Sequence, residues 1–205
     1  NIDGSTSLIL EDGIFNGIDV STIIVNDIQG ISASGLVSGL FNSSSTVDTF
    51  ILSSIDDDAF DFGAFNGLTN INWIEINDNN NLTSIVFDHL NGISIFNRIR
   101  FIGNNKLDTI NFHSDLIINT LEITNNGKLA NLNLENVTIT TLIIDDSDTT
   151  IDLFCNFLND HIDTDVNITY ISIIDAFDGS HKFGPKSLDD FKTLLNGYDL
   201  YCKPS

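Results

Sequence analysis

Apolar residues recur along this chain in a fixed pattern, at positions 1, 4 and 6 of a unit, with a small or amide residue usually at position 9. Val20, Ile23, Val25 and Ile28 form the first full copy, and Val47, Phe50, Leu52 and Ile55 the second. Ile71, Ile74, Ile76 and Asn79 follow, then Phe96, Ile99, Phe101 and Asn104. Ile118, Leu121, Ile123 and Asn126 make the fifth copy, and Ile139, Leu142, Ile144 and Ser147 the sixth. The middle copies extend alike through Leu82 and Ile85, Leu107 and Ile110, and Leu129 and Leu132, while Leu153 closes the last. Starts at 20, 47, 71, 96, 118 and 139 lie 27, 24, 25, 22 and 21 residues apart. A repeat of about 20–29 residues marks units that cannot bury an apolar face alone and must stack on one another. Partial strands are expected at Leu8 to Leu10 before the series and at Ile168, Ile171 and Ile173 after it, for about eight coils.

Apolar positions 4 and 6 bracket a polar or exposed one, which is the period of a strand with one buried face. Stacked copies then pair their strands in parallel, and positions 3, 5 and 7 project from the other face. Asn at position 9 can satisfy the backbone groups of the turn that follows. Asn79, Asn104 and Asn126 are therefore expected to form a hydrogen-bonded ladder, ending where Ile28, Ile55 and Ser147 replace them. Phe15, Phe65 and Phe87 each precede the next strand, with Phe112 more loosely placed, and each should bury its ring beneath the opposite side.

The run from Gly63 to Ile85, Gly-Ala-Phe-Asn-Gly-Leu-Thr-Asn-Ile-Asn-Trp-Ile-Glu-Ile-Asn-Asp-Asn-Asn-Asn-Leu-Thr-Ser-Ile, resembles the unit of the extracellular leucine-rich-repeat family almost throughout. The segment Leu121-Glu-Ile-Thr-Asn-Asn-Gly-Lys-Leu129 is also similar to receptor L domains, whose repeats coil as a flat β-helix. The likeness covers residues 15–155, with Ile often where Leu is usual. It implies a strand-rich α/β solenoid: a leucine-rich-repeat horseshoe with a parallel concave sheet, an irregular convex side and a C-terminal cap containing one helix. Repeats and a short N-terminal capping strand would fill residues 1–154, and the cap residues 155–205, within one structural domain.

The cap helix has its own signature: Ser187 as N-cap, an apolar face of Leu188, Phe191, Leu194 and Leu195, and Gly197 as the stop. Cys155 and Cys202 flank it, and a count of two is compatible with one disulfide or two inert thiols. The resemblance implies the disulfide, although such caps usually carry four cysteines. Closing that loop would stabilise the fold by about 4 kcal/mol on the chain-entropy argument, and would imply an oxidising, hence extracellular, setting. Glycosylation sequons stand at Asn42, Asn81, Asn136 and Asn167, with Asn42 in the most loop-like stretch. Asn, Ser and Thr are so abundant that this many sequons is expected by chance.

Charge narrows the partners. Eight Lys+Arg against 29 Asp+Glu give a formal charge of −21, and no Lys or Arg precedes Arg98. Such a surface repels phosphate backbones, which argues against nucleic acid and anionic membrane. No apolar run reaches the ~18 residues of a membrane span. The lack of any Met, a starting one included, fits a chain trimmed of a secretion leader.

On the mapped face, position 3 runs Thr22, Thr49, Trp73, Arg98, Thr120 and Thr141, and position 5 runs Ile24, Ile51, Glu75, Arg100, Glu122 and Ile143. Six strands spaced about 4.8 Å apart offer roughly 24 Å of surface. Trp73, Glu75, Arg98, Arg100 and Glu122 form the candidate partner-binding cluster, because aromatic and arginine side chains dominate binding hot spots. The plainer alternative is that the arginines neutralise Glu75 and Glu122 across adjacent strands. Ile24 and Ile51 make a candidate apolar patch for dimerisation or a hydrophobic ligand, the alternative being that the N-terminal segment covers them. His89, His113, His161 and His181 are scattered, and no hydrolase, zinc or phosphate-loop motif occurs, so no enzyme is expected. Asp56-Asp57-Asp58 with Asp61, and Asp145-Asp146 with Asp148, lack the spacing and glycine of a calcium loop, so neither a metal nor a cofactor is expected. The expected function is a secreted protein-binding module working through its concave face. The alternative is a carrier, or subunit of a secreted complex, holding a small apolar ligand such as a lipid or pigment.

Overall fold

Each copy of the apolar template forms one long strand, and the middle copies add one short strand after it. The computed structural model describes residues 2–3, 15, 17, 19–26, 45–55, 59–61, 68–87, 93, 95–112, 115–126, 129–134, 137–145, 167–174 and 183–186. In chain order these carry β1 (Ile2–Asp3), β2 (Asp19–Asn26), β3 (Ser45–Ser53), β4 (Ala59–Asp61), β5 (Leu68–Asn77), β6 (Ser84–Phe87) and β7 (Ile95–Ile102). Then come β8 (Thr109–Phe112), β9 (Leu116–Thr124), β10 (Asn131–Asn133), β11 (Val137–Asp145), β12 (Asn167–Ile174) and β13 (Phe183–Lys186).

The strands form two stacked sheets of a solenoid. The long sheet has nine strands in the order β1-β2-β3-β5-β7-β9-β11-β12-β13, and the short sheet four in the order β10-β8-β6-β4. Like template positions lie side by side: Ile23, Phe50, Ile74, Ile99, Leu121, Leu142 and Ile171 are successive partners. The pairing is parallel throughout, except that β13 runs antiparallel to β12 at one edge of the long sheet. Positions 1, 4 and 6 supply the core. Ile74, Ile76, Phe96, Ile99, Phe101, Ile118, Leu121, Ile123, Ile139, Leu142 and Ile144 are all fully buried. Positions 1 and 4 are both inside although three residues apart, so strict alternation cannot hold between them, and positions 2 and 3 both stay outside the core.

One expectation is corrected here, others are met, and some fall on residues outside those described. The side opposite the long sheet is not irregular in the middle copies: Ile85, Ile110 and Leu132 sit in β6, β8 and β10, which pair in parallel. A short strand at Ile2–Asp3 runs parallel to β2, and the strand expected at Leu8 to Leu10 lies outside the described residues. The strand expected at Ile168 to Ile173 is present as β12, so the long sheet continues past residue 154. The helix expected after Ser187 and both cysteines lie outside the described residues. Phe87 and Phe112 do bury their rings, stacked with centroids 4.4 Å apart, and Phe87 meets Phe101 edge-on at 6.0 Å.

Two features turn the chain out of the long sheet. Position 8 adopts the left-handed backbone conformation in four copies, at Ser54, Asp78, Gly103 and Asn125. Gly103 also lies so close to the Asp78 carboxylate that a Cβ there would stand 2.4 Å from Oδ1. Position 9 then buries the asparagine carboxamides. Asn79 Nδ2 donates to Asn104 Oδ1 at 3.0 Å, and Asn104 Nδ2 to Asn126 Oδ1 at 2.9 Å. The same oxygens accept the backbone N–H of Asn79 and Asn104, and the Nδ2 groups also donate to the carbonyls of Leu52, Ile76 and Phe101. The side-chain ladder stops at Asn79, as expected where Ile55 replaces the amide, but Ile55 donates its backbone N–H to Asn79 Oδ1 at 2.8 Å.

Replacing the middle rung, Asn104→Ala, strands the Asn79 backbone N–H and takes one partner each from Asn79 Nδ2 and the Ile76 carbonyl in the buried interior. The expected loss is about 2–4 kcal/mol in denaturant unfolding. Exposed Asn105→Ala should change stability by roughly 0.5 kcal/mol or less. Equal effects at the two sites would show that the ladder carries no special weight.

Candidate binding face on the long sheet

Positions 3 and 5 of adjacent strands bring the candidate cluster together. The register sets Trp73 beside Arg98 and Glu75 beside Arg100 across β5 and β7, and Arg100 beside Glu122 across β7 and β9. Glu75, Arg100 and Glu122 thus alternate in sign along one row, while Arg98 and Trp73 occupy the next row. All five side chains stay outside the core and are half-buried.

The contacts follow from that register. Arg100 is gripped from both sides, with Nη1 to Glu75 Oε2 at 2.8 Å and Nε to Glu122 Oε2 at 3.1 Å. Arg98 reaches diagonally to form a short ion pair from Nη2 to Glu122 Oε2. Asn77 Nδ2 donates to Glu75 Oε1 at 2.8 Å. The Arg98 guanidinium lies 5.3 Å from the centroid of the Trp73 ring, within cation–π range. The bridging of Glu75 and Glu122 by the two arginines, the plainer alternative above, is therefore realised. Glu122 is 14% exposed and Arg98 36%, so solvent screening keeps the outer pair weaker than the inner one.

Ion pairing does not satisfy the cluster. Among the described residues three buried side-chain polar atoms lack a partner: Trp73 Nε1, Arg98 Nε and Asn77 Oδ1. All three belong to this one face. An unpaired buried donor or acceptor costs about 1–3 kcal/mol, so native proteins rarely keep one without a use for it.

The candidate apolar patch is half-covered. Ile24 and Ile51 are partners in register, yet both are half-buried rather than exposed. Among the described residues the large exposed apolar ones are Ile95, at 57%, and Ile117, at 42%, themselves partners across β7 and β9. Each precedes a buried position 1 residue, Phe96 or Ile118. Two consecutive apolar residues in a strand cannot both face inward, and that was the signal available in the sequence. Position 2 also contributes, with Asp48 accepting from Asn72 Nδ2 at 3.1 Å and Asn97 from Asn119 Nδ2 at 3.3 Å.

Of the sequons, Asn81 is half-buried and accepts from Lys106 Nζ at 2.6 Å, and Asn167 opens β12. Asn42 and Asn136 lie outside the described residues, as do the four histidines and Asp56-Asp57-Asp58. Among the described residues no three acidic, histidine or cysteine side chains converge to hold a metal ion. Compared with known protein families, with curated proteins and with solved structures, the chain matches none.

Burial pushes the Glu122 carboxyl up, but hydrogen bonds and charge from Arg98 and Arg100 outweigh it and hold the group below its ordinary value of 4.5. Burial likewise pulls the Arg100 guanidinium down, and the bonds and charges of Glu122 and Glu75 raise it overall. A carboxyl depressed on folding adds stability that is present in full above its ordinary value and is lost as pH falls through the lower folded value. Glu122→Gln should therefore be less stable than the parent near neutrality, with the gap narrowing below about pH 4.5. Taking the difference between the two chains cancels the relief of general acidic repulsion on acidification. A gap independent of pH, measured by urea unfolding, would show that the ion pairs contribute nothing through charge.

Proposed function

We propose that this chain is a secreted binding protein of the leucine-rich-repeat kind, which captures a protein partner on the outer, concave face of its long sheet and catalyses no reaction. The observation that carries the reading is the concentration of unpartnered polar atoms at Trp73, Asn77 and Arg98, beside the ion-paired Glu75, Arg100 and Glu122. A partner that displaces a few side chains there gains hydrogen bonds the free protein leaves unmade, around an aromatic and arginine centre of the type that dominates hot spots. The parallel stacking and the buried asparagine spine support the leucine-rich-repeat assignment. On that assignment a cap with a helix and a Cys155–Cys202 disulfide closes the C-terminal end, and glycans attach at sequons among Asn42, Asn81, Asn136 and Asn167. The acidic surface supports a partner other than nucleic acid or anionic membrane.

A second reading, a carrier for a small apolar ligand such as a lipid or pigment, draws on Ile24 and Ile51, side by side in register. Native mass spectrometry and the absorption spectrum of the protein from its natural source separate the two. A stoichiometric bound lipid or chromophore supports the carrier, and a bound protein supports the module.

Trp73→Ala and Arg98→Gln, each folded by far-UV circular dichroism, should bind the captured partner at least tenfold more weakly than the parent in a titration. Unchanged affinity in both variants would remove this face as the contact surface.

A further inference from the structure

Resting on the binding function proposed above, we infer that the partner is a basic polypeptide segment, which seats an apolar side chain over Ile95 and Ile117 and sets lysines or arginines against Asp115, Asp48 and Asp19. The two isoleucines are adjacent across β7 and β9, and Ile95 lies three residues before Arg98 on the same strand. Among the described residues they are the large exposed apolar ones, and the other large apolar side chains described there are at least half-covered. Paired large aliphatic residues beside a Trp–Arg stack have the composition of an anchor pocket ringed by polar groups.

Charge identifies the occupant. Arg98 and Arg100, the basic residues nearest the patch, are both bound to glutamates. Among the described residues, what remains unneutralised around it is acidic. Asp115 is exposed two residues before Ile117, while exposed Asp48 and Asp19 lie on β3 and β2, two and three strands from Ile95. None of the three forms an ion pair, as Asp48 and Asp19 accept only from Thr49, Asn72 and Thr46. At about 4.8 Å per strand the Asp48 and Asp19 carboxylates fall within roughly 15 Å of Ile95, the reach of a short extended segment. A second copy of this chain is disfavoured, because two bodies of charge −21 repel each other. A basic segment is instead drawn in, faster and more tightly at low salt.

The test selects a random dodecapeptide library displayed on phage against the full-length protein, then titrates the enriched peptides as synthetic molecules. The expected peptides carry net positive charge with at least one large apolar residue. They should bind Ile95→Ser/Ile117→Ser at least tenfold more weakly than the parent, and lose affinity as salt rises. The exposed positions tolerate serine, so the double variant should keep the parent's circular dichroism. No enrichment, enrichment of neutral or acidic peptides, or binding indifferent to the double substitution would overturn the inference. So would a dimer in sedimentation analysis that the double variant dissolves. Binding lost in Trp73→Ala and Arg98→Gln but intact in the isoleucine variant keeps the proposed function and rejects the basic, isoleucine-anchored segment. Basic-peptide binding that needs Ile95 and Ile117 but not Trp73 or Arg98 supports the segment and rejects the Trp73-centred contact.

Discussion

Where each long strand ends, the chain must leave the sheet inside a dry interior, and its backbone N–H and C=O groups there need partners. In the middle copies Asn79, Asn104 and Asn126 supply them: Asn79 and Asn104 each donate to the asparagine of the next coil, and all three donate to a backbone carbonyl of the coil before. Their own carbonyls accept the N–H of Leu82, Leu107 and Leu129, which closes the turn three residues on. A one-residue slip between coils would break every one of these bonds and turn the apolar rows outward. The buried amides therefore act as a register lock. The wide variation in coil length, from 21 to 27 residues, leaves the strand alignment untouched.

Because register is locked, chemistry on the outer face is organised in straight rows. Glu75, Arg100 and Glu122 alternate along one row, with Trp73 and Arg98 in the neighbouring one. Charges so arranged neutralise one another without leaving the surface, which keeps two arginines in place on a strongly acidic molecule. The same crowding leaves Trp73 Nε1, Arg98 Nε and Asn77 Oδ1 unpaired. Structural neutrality and capacity for recognition are thus properties of one cluster rather than competing descriptions of it.

The long strands and their alignment could be read from the spacing alone, because three buried positions per copy repeat six times and leave a single consistent register. The asparagine ladder was legible for the same reason. The short sheet was not, since β4, β6, β8 and β10 are only three or four residues long and too short to show a period. Nor was β13, which pairs antiparallel outside the template. In the cluster, the residue types and their adjacency were readable. Which arginine grips which glutamate depends on side-chain length and direction, since Arg98 has two diagonal carboxylates within reach, Glu75 and Glu122, and takes the second. Ile95 and Ile117 were overlooked because neither belongs to a template position, although the doublets Ile95-Phe96 and Ile117-Ile118 announced that one residue of each had to face out.

The single tryptophan has a further consequence. Its indole lies on the outer face within cation–π range of the Arg98 guanidinium, at the β5 end of the charged rows. Ultraviolet emission excited at the red edge of protein absorption therefore originates from one spot on the surface. Any molecule that settles there alters the indole's polarity and its cationic neighbour together, whereas events elsewhere on the solenoid leave that signal unmoved. The protein carries an intrinsic optical reporter at the place where contact with another molecule would matter.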